Sequence, residues 1–215
     1  MTLLIRIFIF WLGCLPLFGE EPPIDSKSNI LQIEKTGAIL WNGFKVTPQS
    51  PLGPNGAIVS SQNDVGADAI FKALNLLCDK GVMQFRFQAE NGMYVYDFPS
   101  NPQTTPWASL AVVPRKNAIK ISDNVLRFPS YPGAVLVLVT VGANKLECDS
   151  ARGEAQIVSL LQKLKTDYSL VSVGFTVREH ATYKDMMAAL HAAKLADIKS
   201  YYFSDRTAAI VKETP

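Results

Sequence analysis

The sequence predicts an α/β protein, of the α+β kind, in which two small strand–helix–strand blocks form mixed sheet with helices packed on one face. Residues 134–141 form a continuous apolar run rich in β-branched side chains, which is typical of a central strand. Residues 67–80 place apolar side chains at helical spacing, and the strict alternation of residues 82–88 follows directly. Residues 169–203 indicate a strand, a helix and a second strand.

The composition is that of an ordinary globular protein. The chain has 215 residues, of which 48% are hydrophobic and 19% are charged, so it can bury one core or two small ones. The formal net charge is +2, and no run of Lys and Arg stands out. We therefore expect neither nucleic acid nor an anionic surface as a partner.

Residues 1–19 predict a secretory signal peptide. The apolar run Ile7–Phe18 is shorter than the roughly 20 residues that span a bilayer, and cleavage is expected after Gly19. An uncleaved anchor and a lipoprotein signal at Cys14 stay open, although Trp11 stands where a lipoprotein signal has a small or aliphatic residue. We expect an exported, periplasmic or envelope-associated protein, which contacts the membrane only if this segment is retained.

Two cysteines remain after the signal segment, Cys78 and Cys148. An oxidising compartment would allow one disulfide between them. Each lies beside apolar residues at the end of a predicted element, where Cys acts as a small hydrophobic side chain. The pattern therefore favours two buried thiols over the disulfide.

The N-terminal block is predicted over residues 37–98, after an exposed polar lead-in at 20–36. An Asn-Gly pair at 42–43 lies between apolar runs and predicts a hairpin. Residues 47–66 are dense in Pro and Gly, which indicates a long loop before the helix. A second Asn-Gly pair, at 91–92, predicts another hairpin after the helix.

The C-terminal block is predicted over residues 117–204, between a Pro-rich linker at 99–116 and a tail at 205–215. The two blocks share a strand–helix–strand plan, in which residues 80–82 and 167–170 take equivalent places. An internal duplication stays open, because residue identity between the blocks is poor.

Two helices are predicted in the C-terminal block. The first covers residues 151–167, with Ser150 as its N-cap. The second follows Thr182, and Asp185 three residues further on completes a variant of the capping box. A strand is expected on each side of this second helix.

No constellation of residues predicts a reaction. His180 and His191 lack the spacing of a zinc site, and neither a nucleophile elbow nor a phosphate-binding glycine loop is present. Asp64 and Asp68 lie near a helix start, where the helix dipole favours acids in any protein. We therefore expect no enzyme, no catalytic residue, no cofactor and no metal.

Residues 173–203 resemble the periplasmic domain of the ExbD/TolR biopolymer-transport family. In that family a strand, here ending at Val177, leads into a short polar turn, here Arg178–Thr182. A Tyr near the helix start follows, here Tyr183, and then a helix and a brief strand. Residues 137–167 fit the earlier part of the domain, so that the resemblance covers residues 117–204.

Two features depart from this family. Family members carry an Asp in an N-terminal membrane helix that couples proton flow to work, whereas Leu3–Phe18 contains no acidic residue. Members also usually have Asp after the strand, where this chain has Arg178–His180. The resemblance therefore implies a stand-alone relative in the cell envelope and not a proton-driven stator by itself.

The leading hypothesis is an exported, non-enzymatic protein that acts by protein–protein contact in a transport or envelope-integrity system. Dimerisation or strand addition at the last strand, Ile198–Phe203, would provide the contact, and a homodimer is one expected assembly. The residues expected to contact the partner are Thr182, Tyr183, Lys184, Ser200, Tyr201 and Tyr202. A Pro or charge-reversing substitution at Ser200 should weaken association without unfolding the monomer.

Two alternatives stay open. The first is an exported small-ligand binder or enzyme that uses a cleft between the blocks, near Asp64, Asp68 and the loop 48–56. The second is a structural adhesin or scaffold module, which the sequence does not separate from the leading hypothesis.

Overall fold

The computed structural model describes residues 29–47, 50, 52, 56–80, 82, 84–89, 95–99 and 118–204. These residues form two sheets and three helices, which confirms the predicted fold class. We call residues 29–99 the N-terminal unit and residues 118–204 the C-terminal unit. The predicted linker and tail lie outside the described residues, except for Pro99, and the domain boundaries stay a prediction.

The sheet of the N-terminal unit has six strands in the order β3-β2-β1-β4-β5-β6. The central strands β1, β4 and β5 are parallel, and hairpins add β2 with β3 at one side and β6 at the other. Helix α1 connects β4 to β5. The bounds are β1 (Asn29–Ile33), β2 (Ile39–Trp41), β3 (Phe44–Lys45), β4 (Ala57–Ser61), α1 (Ala67–Asp79), β5 (Gln84–Gln88) and β6 (Val95–Pro99).

The sheet of the C-terminal unit has seven strands. Five follow the order β11-β10-β9-β12-β13, β8 pairs with β9, and β7 pairs with β8. Strands β9, β12 and β13 are parallel, α2 leads into β12, and α3 connects β12 to β13. The bounds are β7 (Ile119–Lys120), β8 (Val125–Arg127), β9 (Ala134–Gly142), β10 (Lys145–Cys148), β11 (Ala151–Arg152), α2 (Gly153–Asp167), β12 (Leu170–Val177), α3 (Tyr183–Leu195) and β13 (Ser200–Ser204).

Strand β9 is the centre of its sheet, as its unbroken apolar sequence predicts. It pairs with β12 over its length on one side, while β8 and β10 share its other side. Val135, Val137 and Val139 face the main core, and Leu136 joins Phe128 in a smaller cluster on the opposite face. Burial on both faces explains why this strand shows no polar alternation.

Two strands of the N-terminal unit were missed by the sequence analysis. Asn29–Ile33 was assigned to an exposed lead-in, but it is β1, with Leu31 and Ile33 buried. Ala57–Ser61 was assigned to a loop, but it is β4, the strand between β1 and β5. Both are five-residue strands among polar or Pro- and Gly-rich residues, so their signal is short and the flanking breakers outweigh it.

The start of α2 was also predicted wrongly. Ser150 was expected to cap a helix beginning at Ala151, but Ser150 lies in the turn between β10 and β11. The N-cap is Arg152, which makes no side-chain capping bond. The remaining predicted helices and hairpins agree with the structure, except that the turn at 91–92 lies outside the described residues.

The two units repeat one arrangement of strands. The order β3-β2-β1-β4-β5 has the same pairing directions as β11-β10-β9-β12-β13. Helices α1 and α3 both have 13 residues and occupy the same place in the chain order. Residues 57–88 and 173–204 match without an insertion, because Ala57 pairs with Phe85 where Val173 pairs with Tyr201.

The hairpins β2–β3 and β10–β11 also have the same turn length and the same backbone conformation at the first turn residue. Trp41 pairs with Phe44 across a two-residue turn, as Cys148 pairs with Ala151. The first turn residue has a left-handed backbone in both hairpins, with φ of 51° at Asn42 and 50° at Asp149. The structure therefore equates α1 with α3, so that residues 80–82 correspond to 196–198 and not to the predicted 167–170.

The repeated parts meet at equivalent positions. Gly66, before α1, forms an antiparallel bridge with Thr182, before α3. The N–H of Ala67 donates to the carbonyl oxygen of Ala181 (2.8 Å), and the N–H of Tyr183 donates to that of Val65 (2.7 Å). These bonds are reciprocal, as two copies related by a two-fold axis would form them.

One core runs through both units. Buried residues of β1, β4, α1, β9, β12 and α3 belong to a single contiguous cluster. Phe203 of β13 lies at the junction, with ring centroids 6.2 Å from Phe71 of α1, 6.4 Å from Phe87 of β5 and 5.4 Å from Phe175 of β12. Such ring contacts fill the space between the two sheets.

Candidate functional site

The start of α3 is held by the predicted capping box. The backbone N–H and the hydroxyl of Thr182 each donate to Oδ2 of Asp185 at 2.8 Å. The other carboxylate oxygen accepts the N–H of Asn144, in the turn between β9 and β10, at 2.7 Å. Asp185 is only 5% exposed, and these three donors satisfy the buried carboxylate while they fasten α3 to the sheet.

Tyr183 belongs to the C-terminal unit but lies inside the N-terminal unit. Its side chain is fully buried, and its hydroxyl lies 2.8 Å from the carbonyl oxygen of Val59 on β4 and 2.7 Å from that of Gln88 on β5. Burial raises the pKa of Tyr183 well above its usual value. This predicted partner contact is therefore used within the chain, and the structure leaves its side chain no exposed surface for a second protein.

The neighbours of Tyr183 lie at the rim of the same junction. Lys184 is exposed, and its backbone N–H donates to the carbonyl oxygen of Asn63 at 3.1 Å. Thr182 is half-buried. The first three predicted site residues thus form one cluster, whose hydrogen bonds join the two units.

The other three predicted site residues lie together on β13. Ser200 is 7% exposed, and its hydroxyl lies 2.8 Å from that of Ser172 on β12. Tyr201 packs against the main core and Tyr202 against the smaller cluster on the opposite face, and both are half-buried. A Cβ on Gly174 would lie 2.5 Å from the Tyr202 hydroxyl, so any larger residue at position 174 would displace this ring.

The burial of Ser200 changes the outcome expected for the substitution proposed from the sequence. A charge or a Pro at this position would remove a buried hydrogen bond to Ser172 and disturb the pairing of β13 with β12. We therefore expect such variants to be destabilised, so that a loss of association could not be assigned to the contact surface.

The carboxylates suggested for an interdomain cleft are at the surface. Asp64 is exposed and accepts from Nζ of Lys35 at 2.7 Å, and this hydrogen bond lowers the pKa of Asp64 and raises that of Lys35. Asp68 is exposed in the first turn of α1, which is the helix-start position proposed from the sequence. Between the sheets, the Tyr183 hydroxyl bonds to the middle of β4 at Val59 and to the carboxyl end of β5 at Gln88. Ligand binding between the blocks stays a prediction.

The two histidines have different surroundings. His180 lies exposed in the turn after β12, with a left-handed backbone (φ 67°). His191 is half-buried on α3, and its Nδ1 lies 2.8 Å from Oε1 of Glu154 at the start of α2. His191 therefore links α2 to α3.

The cysteine at the end of β10 is a buried free thiol, as the sequence pattern favours. Burial is the main reason that the pKa of Cys148 is raised to about 12. The side chain of Cys78 lies outside the described residues. The structure therefore tests the predicted buried thiol at Cys148 only.

Among the residues whose burial the structure describes, the most exposed aromatic side chain is one that the sequence did not single out. Phe44 of β3 is 78% exposed, beside its half-buried cross-strand partner Trp41. The Asn-Gly hairpin that carries them was predicted correctly. Strand alternation places Ile39, Trp41 and Phe44 on one face of this hairpin, and this spacing is the signal that could have found them.

Comparisons with known proteins return no match. No family model matches the chain, and neither a curated protein nor a solved structure matches it. Within the described part of the chain, no helix is long and apolar enough to cross a membrane. The same residues contain no group of three or more His, Cys, Asp and Glu side chains that could hold a metal ion.

Proposed function

We propose that this protein is exported to the cell envelope and acts there by protein–protein contact in a transport or envelope-integrity system. The resemblance to ExbD/TolR periplasmic domains supports this assignment. The resemblance expects strand, helix, strand, helix and strand over residues 137–204. The elements β9, α2, β12, α3 and β13 follow in this order, and the short strands β10 and β11 lie between β9 and α2.

The observation that carries the proposal is the exposed aromatic hairpin β2–β3. A phenylalanine side chain that is 78% exposed leaves apolar area in contact with water, next to a tryptophan that is itself only half-buried. Aromatic side chains are enriched where proteins bind one another, and their burial dominates the binding free energy. The hairpin therefore offers a contact surface on a rigid element.

The polar residues of the C-terminal unit support the same conclusion. Asp185, Tyr183 and Ser200 make their hydrogen bonds to neighbouring strands and turns. Of the three, Tyr183 joins the C-terminal unit to β4 and β5 of the N-terminal unit, which carries the hairpin. A rigid body with a preformed apolar surface binds a partner with little loss of conformational freedom.

Export and contact can be tested in one experiment. The photo-crosslinking amino acid p-benzoylphenylalanine is placed at position 44 of the full chain in its native cells, with the exposed Lys163 of α2 as the matched control position. We expect the intact mass of the purified protein to be that of a chain whose first residue is Glu20. We also expect one discrete adduct from position 44, containing a protein of the envelope and disappearing when unlabelled protein is in excess.

Three outcomes would reject the proposal. The first is a mature chain found with cytosolic proteins only. The second is the absence of an adduct at position 44. The third is the same set of adducts from positions 44 and 163, since this would report random collision and not a contact surface.

A further inference from the structure

The repeat shows what covers this type of hairpin elsewhere in the same chain. In the C-terminal unit, α2 follows β11 and packs over the hairpin β10–β11. Ile157, Leu161 and Leu164 of α2 are buried, and beneath them Leu146 is 4% exposed and Cys148 is fully buried. An aliphatic stripe with the spacing i, i+4 and i+7 thus covers the face of the hairpin.

No helix among the described residues covers the equivalent face in the N-terminal unit. The segment 46–56, between β3 and β4, is shorter than the 15-residue α2. Leu52 from this segment packs against the core, but Ile39 and Trp41 stay half-buried and Phe44 is 78% exposed. We call Ile39, Trp41 and Phe44 the hairpin face.

Charge also differs between the two hairpins. Arg152 of β11 has Glu147 as its cross-strand neighbour and forms an ion pair with it, Nε to Oε1, at 3.2 Å. Lys45 occupies the place of Arg152, but its cross-strand neighbour is Leu40. A helix placed as α2 is would begin directly after Lys45, and an acidic residue in its first turn, like Glu154 in α2, would complement the helix dipole.

We infer that the hairpin face binds an amphipathic helix of the envelope partner, with aliphatic residues at i, i+4 and i+7 and an acidic first turn. The inference rests on the proposed function and names the partner's binding element. The contact would cover Trp41 and Ile39 as α2 covers their counterparts Cys148 and Leu146, and it would partly bury Phe44, whose counterpart Ala151 is half-buried. In helix-in-groove recognition, regularly spaced apolar side chains of the helix pack into the groove of the partner.

The test uses the full mature chain and a fluorescein-labelled peptide with the sequence of residues 153–167. We expect saturable binding, measured by fluorescence anisotropy, that Phe44→Ser weakens at least about ten-fold, which corresponds to about 1.4 kcal/mol. Ile119→Ser removes an apolar side chain that is 46% exposed and should leave binding unchanged. A peptide with Ile157→Ser, Leu161→Ser and Leu164→Ser should not bind.

Circular dichroism should show that Phe44→Ser leaves the fold unchanged, because the side chain is largely exposed.

Several outcomes would overturn the inference. One is the absence of saturable peptide binding. Another is an equal loss of affinity for the peptide in Phe44→Ser and Ile119→Ser. The third is self-association of the chain through Phe44 in place of peptide binding. If the peptide fails while the crosslink at position 44 still captures an envelope protein, the proposed function stands and the helical partner element is wrong.

Discussion

At the scale of single residues, Tyr183 makes the most consequential contact. Its hydroxyl lies within hydrogen-bond distance of the carbonyl oxygens of Val59 and Gln88 in the other unit. Tyr183→Phe keeps the ring but removes the one hydroxyl proton that the buried Val59 carbonyl and the half-buried Gln88 carbonyl share, so we expect a loss of about 1–3 kcal/mol of unfolding free energy. Urea denaturation would measure it. The half-exposed Tyr131 provides the control, because Tyr131→Phe should change the free energy by less than about 0.5 kcal/mol.

The raised pKa of Cys148 should make the free energy of unfolding depend on pH. Its native pKa, about 12, lies above the ordinary value of 9.0, mainly because the thiol is buried. A raised native pKa means that the contribution to stability is complete below pH 9 and is lost as the pH rises towards 12. The unfolding free energy of the wild type should therefore fall more steeply above pH 9 than that of Cys148→Ala.

The reactivity of Cys148 gives an independent measurement. In a Cys78→Ala background, the remaining thiol should resist iodoacetamide at pH 8 in buffer and react at once in urea, because the thiolate is the reactive form. Rapid alkylation of the folded chain would show that the thiol is exposed and would contradict the pH argument as well.

At the scale of elements, the position of α3 depends on Asp185. Asp185→Ala removes the acceptor for Thr182 and Asn144, so the helix loses its cap and the turn between β9 and β10 loses its anchor. We expect a loss of about 1–3 kcal/mol. Asp167→Ala, at the exposed end of α2, is the matched control and should have little effect. Equal losses in the two variants would mean that the capping box is not what holds α3.

The sequence predicted those elements whose signal is local. The apolar run of β9, the helical stripe of α1 and the pair Thr182 and Asp185 each carry enough residues to identify the element, and the structure confirms them. Strands β1 and β4 were missed because a five-residue strand is defined by its neighbours in the sheet, which lie far away in sequence.

The candidate site was less predictable for the same physical reason. Tyr183 was placed correctly at a helix start, but its partners Val59 and Gln88 come from the other unit, and no local pattern indicates them. Ser200 was expected at a contact edge, whereas its hydrogen bond to Ser172 buries it. Phe44 shows the converse, since it is exposed because no helix in the described part of the chain packs over it, which its neighbours in sequence do not indicate.

At the scale of the whole molecule, the shared core predicts that the two units unfold together. Tyr183, Phe87 and Phe203 connect the sheets, and the bridge between Gly66 and Thr182 joins the starts of α1 and α3. Hydrogen exchange should then give the same opening free energy for the amides of β4 and of β12.

The variant Asp185→Ala makes this argument decisive, because it removes hydrogen bonds within the C-terminal unit only. In a single cooperative body, its loss of about 1–3 kcal/mol should lower the protection of β4 and β12 alike, by about 5- to 150-fold. Protection lost from one sheet alone would show that the units open independently. The contiguous core would then be two cores in contact, and the hairpin face would be positioned by the N-terminal unit without help from α3.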